Sequence, residues 1–222
     1  MRERKAIQIA AALVIAGAVA AMVVTERGGL AAGINPAAPR AAGGELARQA
    51  LSLVKPGGQI MVITRDTQNF QNPASDCLLA GFEKELRRAH ASPAAIQRLQ
   101  VDPLRLMAVP SGDFQNWLHQ AAAGDVIVSF MGPPLFTPEE VRRLGEHPSA
   151  VVAFCPGNWL DRVDLRSLFS EGVLQVALVA RRDQTRAALN SGNFAQNYAV
   201  VTRANVDDFL ATAANPLASP SP

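Results

Sequence analysis

Between residues 45 and 210 the apolar positions switch repeatedly between a helical and a strand period, and each switch marks an element. Glu45 to Val54 has the spacing of a short amphipathic helix, ended by Pro56-Gly57-Gly58. Gln59-Ile-Met-Val-Ile-Thr64 follows as a short apolar run rich in β-branched residues, the pattern of a parallel strand buried on both faces. Asn72 then stands as a helix cap with Pro73 at the first helical position. Leu78, Phe82, Leu86 and Ala89 line one face of the helix it starts. A strand is expected over Leu104–Val109, a cap at Asp113, and a helix over Phe114–Ala123 closed by Gly124. Asp125-Val-Ile-Val-Ser-Phe130 reads as a third strand. In Thr137-Pro138-Glu139-Glu140 a hydroxyl at the cap precedes Glu by three residues, the form of a capping box. Val151–Phe154 is a fourth strand, Asp161–Glu171 a helix stopped by Gly172, and Leu174–Val179 a fifth strand. A loop rich in Asn, Gln and Gly leads to a strand at Tyr198–Thr202, and Asn205 caps a last short helix.

Strands alternating with helices predict an α/β fold. The expectation is a single Rossmann-like, doubly wound, mostly parallel sheet of five to six strands with helices on both faces. Ligands of such folds sit beyond the carboxyl ends of the strands. Here those ends carry Thr64-Arg65-Asp66, Ser111-Gly112, Met131-Gly132, Cys155-Pro156-Gly157 and Arg181-Arg182.

The first residues follow a different pattern. Arg2, Arg4 and Lys5 precede a run from Ala6 to Val24 that carries no charge and is broken only by Gln8. As a helix the run is about 28 Å long, close to the thickness of a bilayer's hydrocarbon core. The basic flank orients the N-terminus to the cytoplasm and the rest outward. Residues 1–27 are therefore a signal-anchor or a signal peptide, with Ala18-Val19-Ala20 as the cleavage site of the second reading. The length of the run and its continuation through Met22-Val23-Val24 favour the anchor. Residues 28–44, mostly Gly, Ala and Pro, read as a flexible linker. Residues 45–213 form one domain of about 170 residues, enough for a sizeable core. Residues 214–222 are a Pro- and Ser-rich tail expected to be disordered.

Four stretches together resemble the C-terminal lobe of the type I periplasmic binding proteins, the ribose and related sugar receptors of ABC transporters. They are Gly58–Asp66 with Asn72 and Gly81-Phe82-Glu-Lys-Glu-Leu86; Asp125–Phe130; Ala150–Cys155 leading to Ser170–Ala177; and Val200-Val-Thr-Arg-Ala-Asn-Val206. The resemblance spans about 165 residues in shared order. It implies export to the periplasm, with the domain anchored to the inner membrane, or secreted if the signal is cleaved. It covers one lobe, since only the apolar run and the linker precede it. The residues that bind sugar in the family are replaced. Leu78 stands where the family has Arg, Met131-Gly132 where it has Asn-Asp, Cys155 where it has Asp, and Arg181 where it has Gln. Sugar hydroxyls need paired donors and acceptors, which Leu, Met and Cys supply poorly.

Composition adds exclusions. Net charge is +2, and no basic stripe interleaved with aromatics is present, so nucleic acid is not an expected partner. No Gly-x-Ser-x-Gly elbow occurs, and the three histidines, His90, His119 and His147, are scattered at helix surfaces or ends. Neither a metal-ligand spacing nor a nucleotide fingerprint is found, so no cofactor is expected; Gly57-Gly58 precedes its strand and is a turn. Outside the cytoplasm Cys77 and Cys155 have the option of a disulfide, while their apolar surroundings favour two buried thiols.

Two functional classes remain. The first, which the replacements favour, is a membrane-tethered, non-enzymatic interaction or scaffold protein on a degenerate receptor lobe, with a protein partner. The apolar loop Met131-Gly-Pro-Pro-Leu-Phe136 would be its docking patch. The second is a small-ligand module for a sugar or small anion, pairing two copies as a homodimer to rebuild a cleft. Arg65, Asp66, Asn72, Ser129, Trp159 and Arg181 are its candidate contacts, with Trp159 placed better than Trp117 for stacking and Arg181 favouring an anion. A polar, concave cleft at the carboxyl edge would favour the second class, and a flat apolar patch containing Leu135 and Phe136 the first.

Overall fold

Ile60, Val62 and Val126 point to one side of a sheet while Ile63 and Ile127 point to the other, and both sides are covered by helices. This double burial is why the strands read as continuous apolar runs. The computed structural model describes residues 35–68, 71–100, 108–144, 147–157, 159–182 and 186–214. In chain order the elements are α1 (Ala37–Leu53), β1 (Ile60–Arg65), α2 (Pro73–Arg88), β2 (Ala95–Leu99), α3 (Ser111–Gln120), β3 (Val126–Ser129), α4 (Pro138–Leu144) and β4 (Ala150–Cys155). A 3₁₀ turn (Trp159–Asp161) follows, then α5 (Leu165–Ser170), β5 (Val176–Ala180), α6 (Arg186–Ser191), α7 (Phe194–Asn197), β6 (Tyr198–Thr202) and α8 (Val206–Ala214).

The sheet has six strands in the order β2-β1-β3-β4-β5-β6. All neighbours are parallel except β6, which runs antiparallel to β5 with Tyr198 opposite Ala180. Because β6 runs backwards, its first residue lies at the carboxyl edge of the other strands. On one face α1 and α2 cover Val62, Val128 and Phe154. On the other, Phe114, Leu118, Val141, Leu168, Phe169 and Val206 from α3, α4, α5 and α8 cover Ile63, Ile127 and Ala153.

Local chemistry fixes the helix starts. Asn72 Oδ1 accepts the Ser75 N–H at 3.1 Å with Pro73 at the first position of α2. The capping box before α4 is complete: Thr137 N–H donates to Glu140 Oε2 at 2.7 Å, and Glu140 N–H to Thr137 Oγ1 at 3.2 Å.

Several expectations are corrected. The first helix begins at Ala37, eight residues before Glu45, so Ala37–Gly44 belongs to it rather than to a linker. Small residues there serve packing: a Cβ on Gly43 would collide with the Leu78 carbonyl of α2, and one on Gly81 with the Arg40 carbonyl of α1. The second strand is Ala95–Leu99, paired with β1; of the expected Leu104–Val109, residues 104–107 lie outside the described ones, and Ala108 and Val109 are not strand. Helix α3 starts at Ser111 after Pro110, leaving Asp113 in its first turn rather than at its cap. The expected helix over Asp161–Glu171 is a 3₁₀ turn and the shorter α5, which Asp164 caps through the Ser167 N–H. The loop rich in Asn, Gln and Gly contains α6 and α7. Asn205 Oδ1 accepts from Thr202 N–H, so this side chain closes the turn rather than capping α8. Cys77 and Cys155 are both buried free thiols, not a disulfide. Among the described residues no helix is long and apolar enough to cross a membrane; the Ala6–Val24 run lies outside them.

Candidate functional site

The carboxyl edge of the sheet holds a cleft of about 240 Å³. It opens where the strand order reverses, between the β1 and β3 ends, the place at which doubly wound sheets hold ligands. Thr64 and Arg65 from the end of β1 form one side, with Asn72, Ala74, Ser75 and Leu78 from the start of α2. Phe130 and Met131 after β3, with Phe154 and Pro156 at β4, form the floor. Trp159, Tyr198 and Pro39 complete the lining. These walls are mostly carbon, and Arg65 is the one charged side chain among the described lining residues.

The aromatic walls are locked by one another. Phe82 meets Phe130 edge-on at 5.4 Å between centroids, and Phe154 meets Tyr198 at 5.6 Å. Phe194 of α7 backs Tyr198 at 5.7 Å. Gly132 turns the chain after β3 at φ +83°, and a Cβ there would lie 2.7 Å from the Trp159 ring, so Trp159 rests directly on its backbone. Phe130, Met131, Phe154, Trp159 and Tyr198 keep 6–9% exposure, while Val62 and Val128 beside them in the sheet have none.

Arg65, Asn72 and Trp159 of the candidate contacts line this cleft. The other three are engaged elsewhere. Asp66 accepts the Gln68 N–H at 3.0 Å and shapes the turn after β1. Ser129, fully buried, donates to the Gly132 carbonyl at 2.5 Å and holds the turn after β3. Arg181 is exposed, and its Nε donates to the Ala195 carbonyl at 2.8 Å, tying β5 to α7. The four positions at which the resemblance implied replaced sugar contacts divide the same way: Leu78 and Met131 face the cleft, whereas Cys155 lies in the core and Arg181 outside the lining. Sequence reasoning missed Thr64, Ser75 and Tyr198. Thr64 was legible as a strand end, and Ser75 as the third residue after a cap. Nothing local marks Tyr198, which arrives only through the antiparallel return of β6.

Electrostatics set the cleft's character. Burial pushes the Tyr198 phenol up, so it is neutral and able to donate. Burial also pushes the Cys155 thiol up to about 12, which leaves it protonated and a poor nucleophile. Arg65 Nε is buried without a hydrogen-bond partner. Among the described residues no group of three or more His, Cys, Asp or Glu side chains is placed to hold a metal ion. His90 stands exposed at φ +55° just past α2, and His119 is exposed on α3. The loop Met131–Phe136 is no flat patch: Met131 to Pro134 are buried, Phe136 packs edge-on against Phe114 at 6.1 Å, and Leu135 is exposed.

No family model and no curated protein matches the chain. Solved structures do. A carbohydrate transporter solute-binding protein from Agrobacterium radiobacter, solved with D-arabinose, aligns over 81% of this chain and 63% of its own, with TM-score 0.50 and 12% identity. An arabinose-binding protein from Geobacillus stearothermophilus aligns over 77% of this chain and 63% of its own, with TM-score 0.49 and 16% identity. A periplasmic ribose ABC transporter protein from Conexibacter woesei gives 82%, 62%, 0.48 and 11% for the same quantities. The chain thus spans less than two thirds of the length of each of these proteins. At such identities the likeness speaks for fold alone: over the part it spans, the chain shares the type I periplasmic-binding-protein fold.

Proposed function

We propose that this chain is an exported, membrane-tethered, non-enzymatic binding module whose receptor-type cleft takes a small ligand. The concave cleft at the carboxyl ends of β1, β3 and β4 carries the reading. Its lining supports binding over catalysis: no carboxylate, histidine or thiol is among the described lining residues, so the Thr64, Ser75 and Tyr198 hydroxyls have no general base beside them in the lining. Arg65, Asn72 and Trp159 are the contacts of choice, joined by Thr64, Ser75 and Tyr198. Asp66, Ser129 and Arg181 support the walls through backbone hydrogen bonds. The scaffold alternative needs a flat apolar surface at Leu135 and Phe136, and Phe136 is instead committed to Phe114. The basic flank and apolar run at residues 1–24 support export and a tether.

The test is the melting temperature of the full chain against a panel of sugars, small anions and small organic acids. A ligand at 100 times its dissociation constant adds about 2.7 kcal/mol, a rise of several degrees for a domain of this size. A reproducible rise with one ligand class is the expected result. No rise across the panel would remove the binding reading and return the search to protein partners.

A further inference from the structure

We infer that the cleft is built for a small aromatic monocarboxylate, its ring against Phe130, Phe154 and Trp159 and its carboxylate on Arg65. The inference rests on the binding reading above and narrows it to a ligand class. Three observations carry it. First, the charge is single: Arg65 is the one charged side chain among the described lining residues, and no acidic side chain among the described residues pairs with it. A guanidinium beside apolar walls is better satisfied by a carboxylate, which accepts two parallel N–H bonds, than by a neutral hydroxyl. A dianion such as phosphate would leave its second charge facing carbon.

Second, the walls suit a flat apolar body. Phe130, Phe154, Trp159 and Tyr198 present aromatic surface, Met131 adds a polarisable thioether, and their residual exposure is 6–9%. A pyranose or furanose needs several paired donors and acceptors around its ring. The described lining offers only the Thr64, Ser75 and Tyr198 hydroxyls and the Asn72 carboxamide, whose oxygen already accepts from Ser75 N–H at 3.1 Å. Third, the size fits. The cleft's 240 Å³ has room for one ring with a short acid arm.

The experiment is calorimetric titration of the full chain, reconstituted in lipid nanodiscs, with phenylacetate, phenylacetamide and D-arabinose. The acid and its amide have nearly the same shape, so their comparison isolates the charge without any substitution. Phenylacetate is expected to bind at least about tenfold more tightly than phenylacetamide, and D-arabinose to give no saturable heat. Arg65→Gln should abolish the preference for the acid, and Arg65→Lys should keep part of it. Equal binding of acid and amide, or tighter binding of D-arabinose, would overturn the ligand class and leave the binding module standing. Silence from all three, with a melting-temperature rise from another ligand, would do the same. Silence here and across the whole panel would overturn both.

Discussion

Gly132 and Trp159 make a joint that illustrates how single residues shape the cleft. The backbone of Gly132 is in the left-handed region, and the ring of Trp159 occupies the space a side chain would need. Gly132→Ala therefore combines backbone strain with overpacking, about 2–4 kcal/mol together. The expected outcome is a melting temperature lower by about 5–15 °C, measured by calorimetry, with Trp159 emission shifted to the red as the ring is displaced. His147 gives a second residue-scale prediction. Burial holds its pKa below the ordinary value of about 6.5, and the backbone of Ser149 and Gly172 offsets only part of that. The unfolded chain then binds the proton more readily than the fold, so stability falls as pH drops through about 6.5 and below. His147→Gln should flatten the decline of melting temperature between pH 7.5 and pH 5.5; an unchanged slope would remove His147 as its source. The fate of Ser129 and Arg181 shows what residue-level reading misses. Both sit at the strand ends where ligands are sought, yet each side chain is taken by a backbone carbonyl, of Gly132 and Ala195 respectively. Strand position was legible, but side-chain hydrogen bonding depends on loops whose course no local pattern gives.

Among elements, α1 departs most from its appearance in the sequence. Ala37-Ala-Pro-Arg-Ala-Ala-Gly-Gly44 has a linker's composition, but the small residues are what allow α1 and α2 to approach backbone to backbone at Gly43 and Gly81. Asn35 fixes the start: its side chain accepts the Ala37 N–H at 2.8 Å and donates to the Asn190 carbonyl at 3.0 Å. A fragment of residues 45–213 should therefore melt at least about 10 °C below one of residues 35–214, because it loses buried Ala38, Ala42, Gly43 and Gly44. Equal melting temperatures would show that the first half of α1 adds nothing. Strand β2 was hidden for the opposite reason. Ala95–Leu99 is a half-exposed edge strand carrying Gln97 and Arg98, so its apolar signal is weaker than that of the neighbouring Leu104–Val109 run. Central strands β1, β3, β4 and β5 stood out because burial on both faces leaves them little choice but Val, Ile, Leu and Ala.

At the scale of the whole molecule, the parallel order with a reversal between β1 and β3 places one cleft at the carboxyl edge, and β6 returns Tyr198 to it. That edge was legible from the alternation of strands and helices, and Leu78 and Met131 contribute to the cleft's apolar walls. Full-length chain expressed in a bacterial cell should stay with the membrane pellet after an alkaline carbonate wash and leave it in detergent. Recovery as a shorter soluble periplasmic species would instead identify the apolar run as a cleaved signal. On the binding reading, ligand enters the cleft beside Trp159. That placement is tested most directly by titrating the Trp117→Phe chain, in which Trp159 is the sole tryptophan, with the ligand panel and following its emission. A saturable change, with the midpoint found by calorimetry and lost in Arg65→Gln, is the predicted result. Calorimetric binding that leaves Trp159 emission untouched would place the ligand elsewhere and contradict the account.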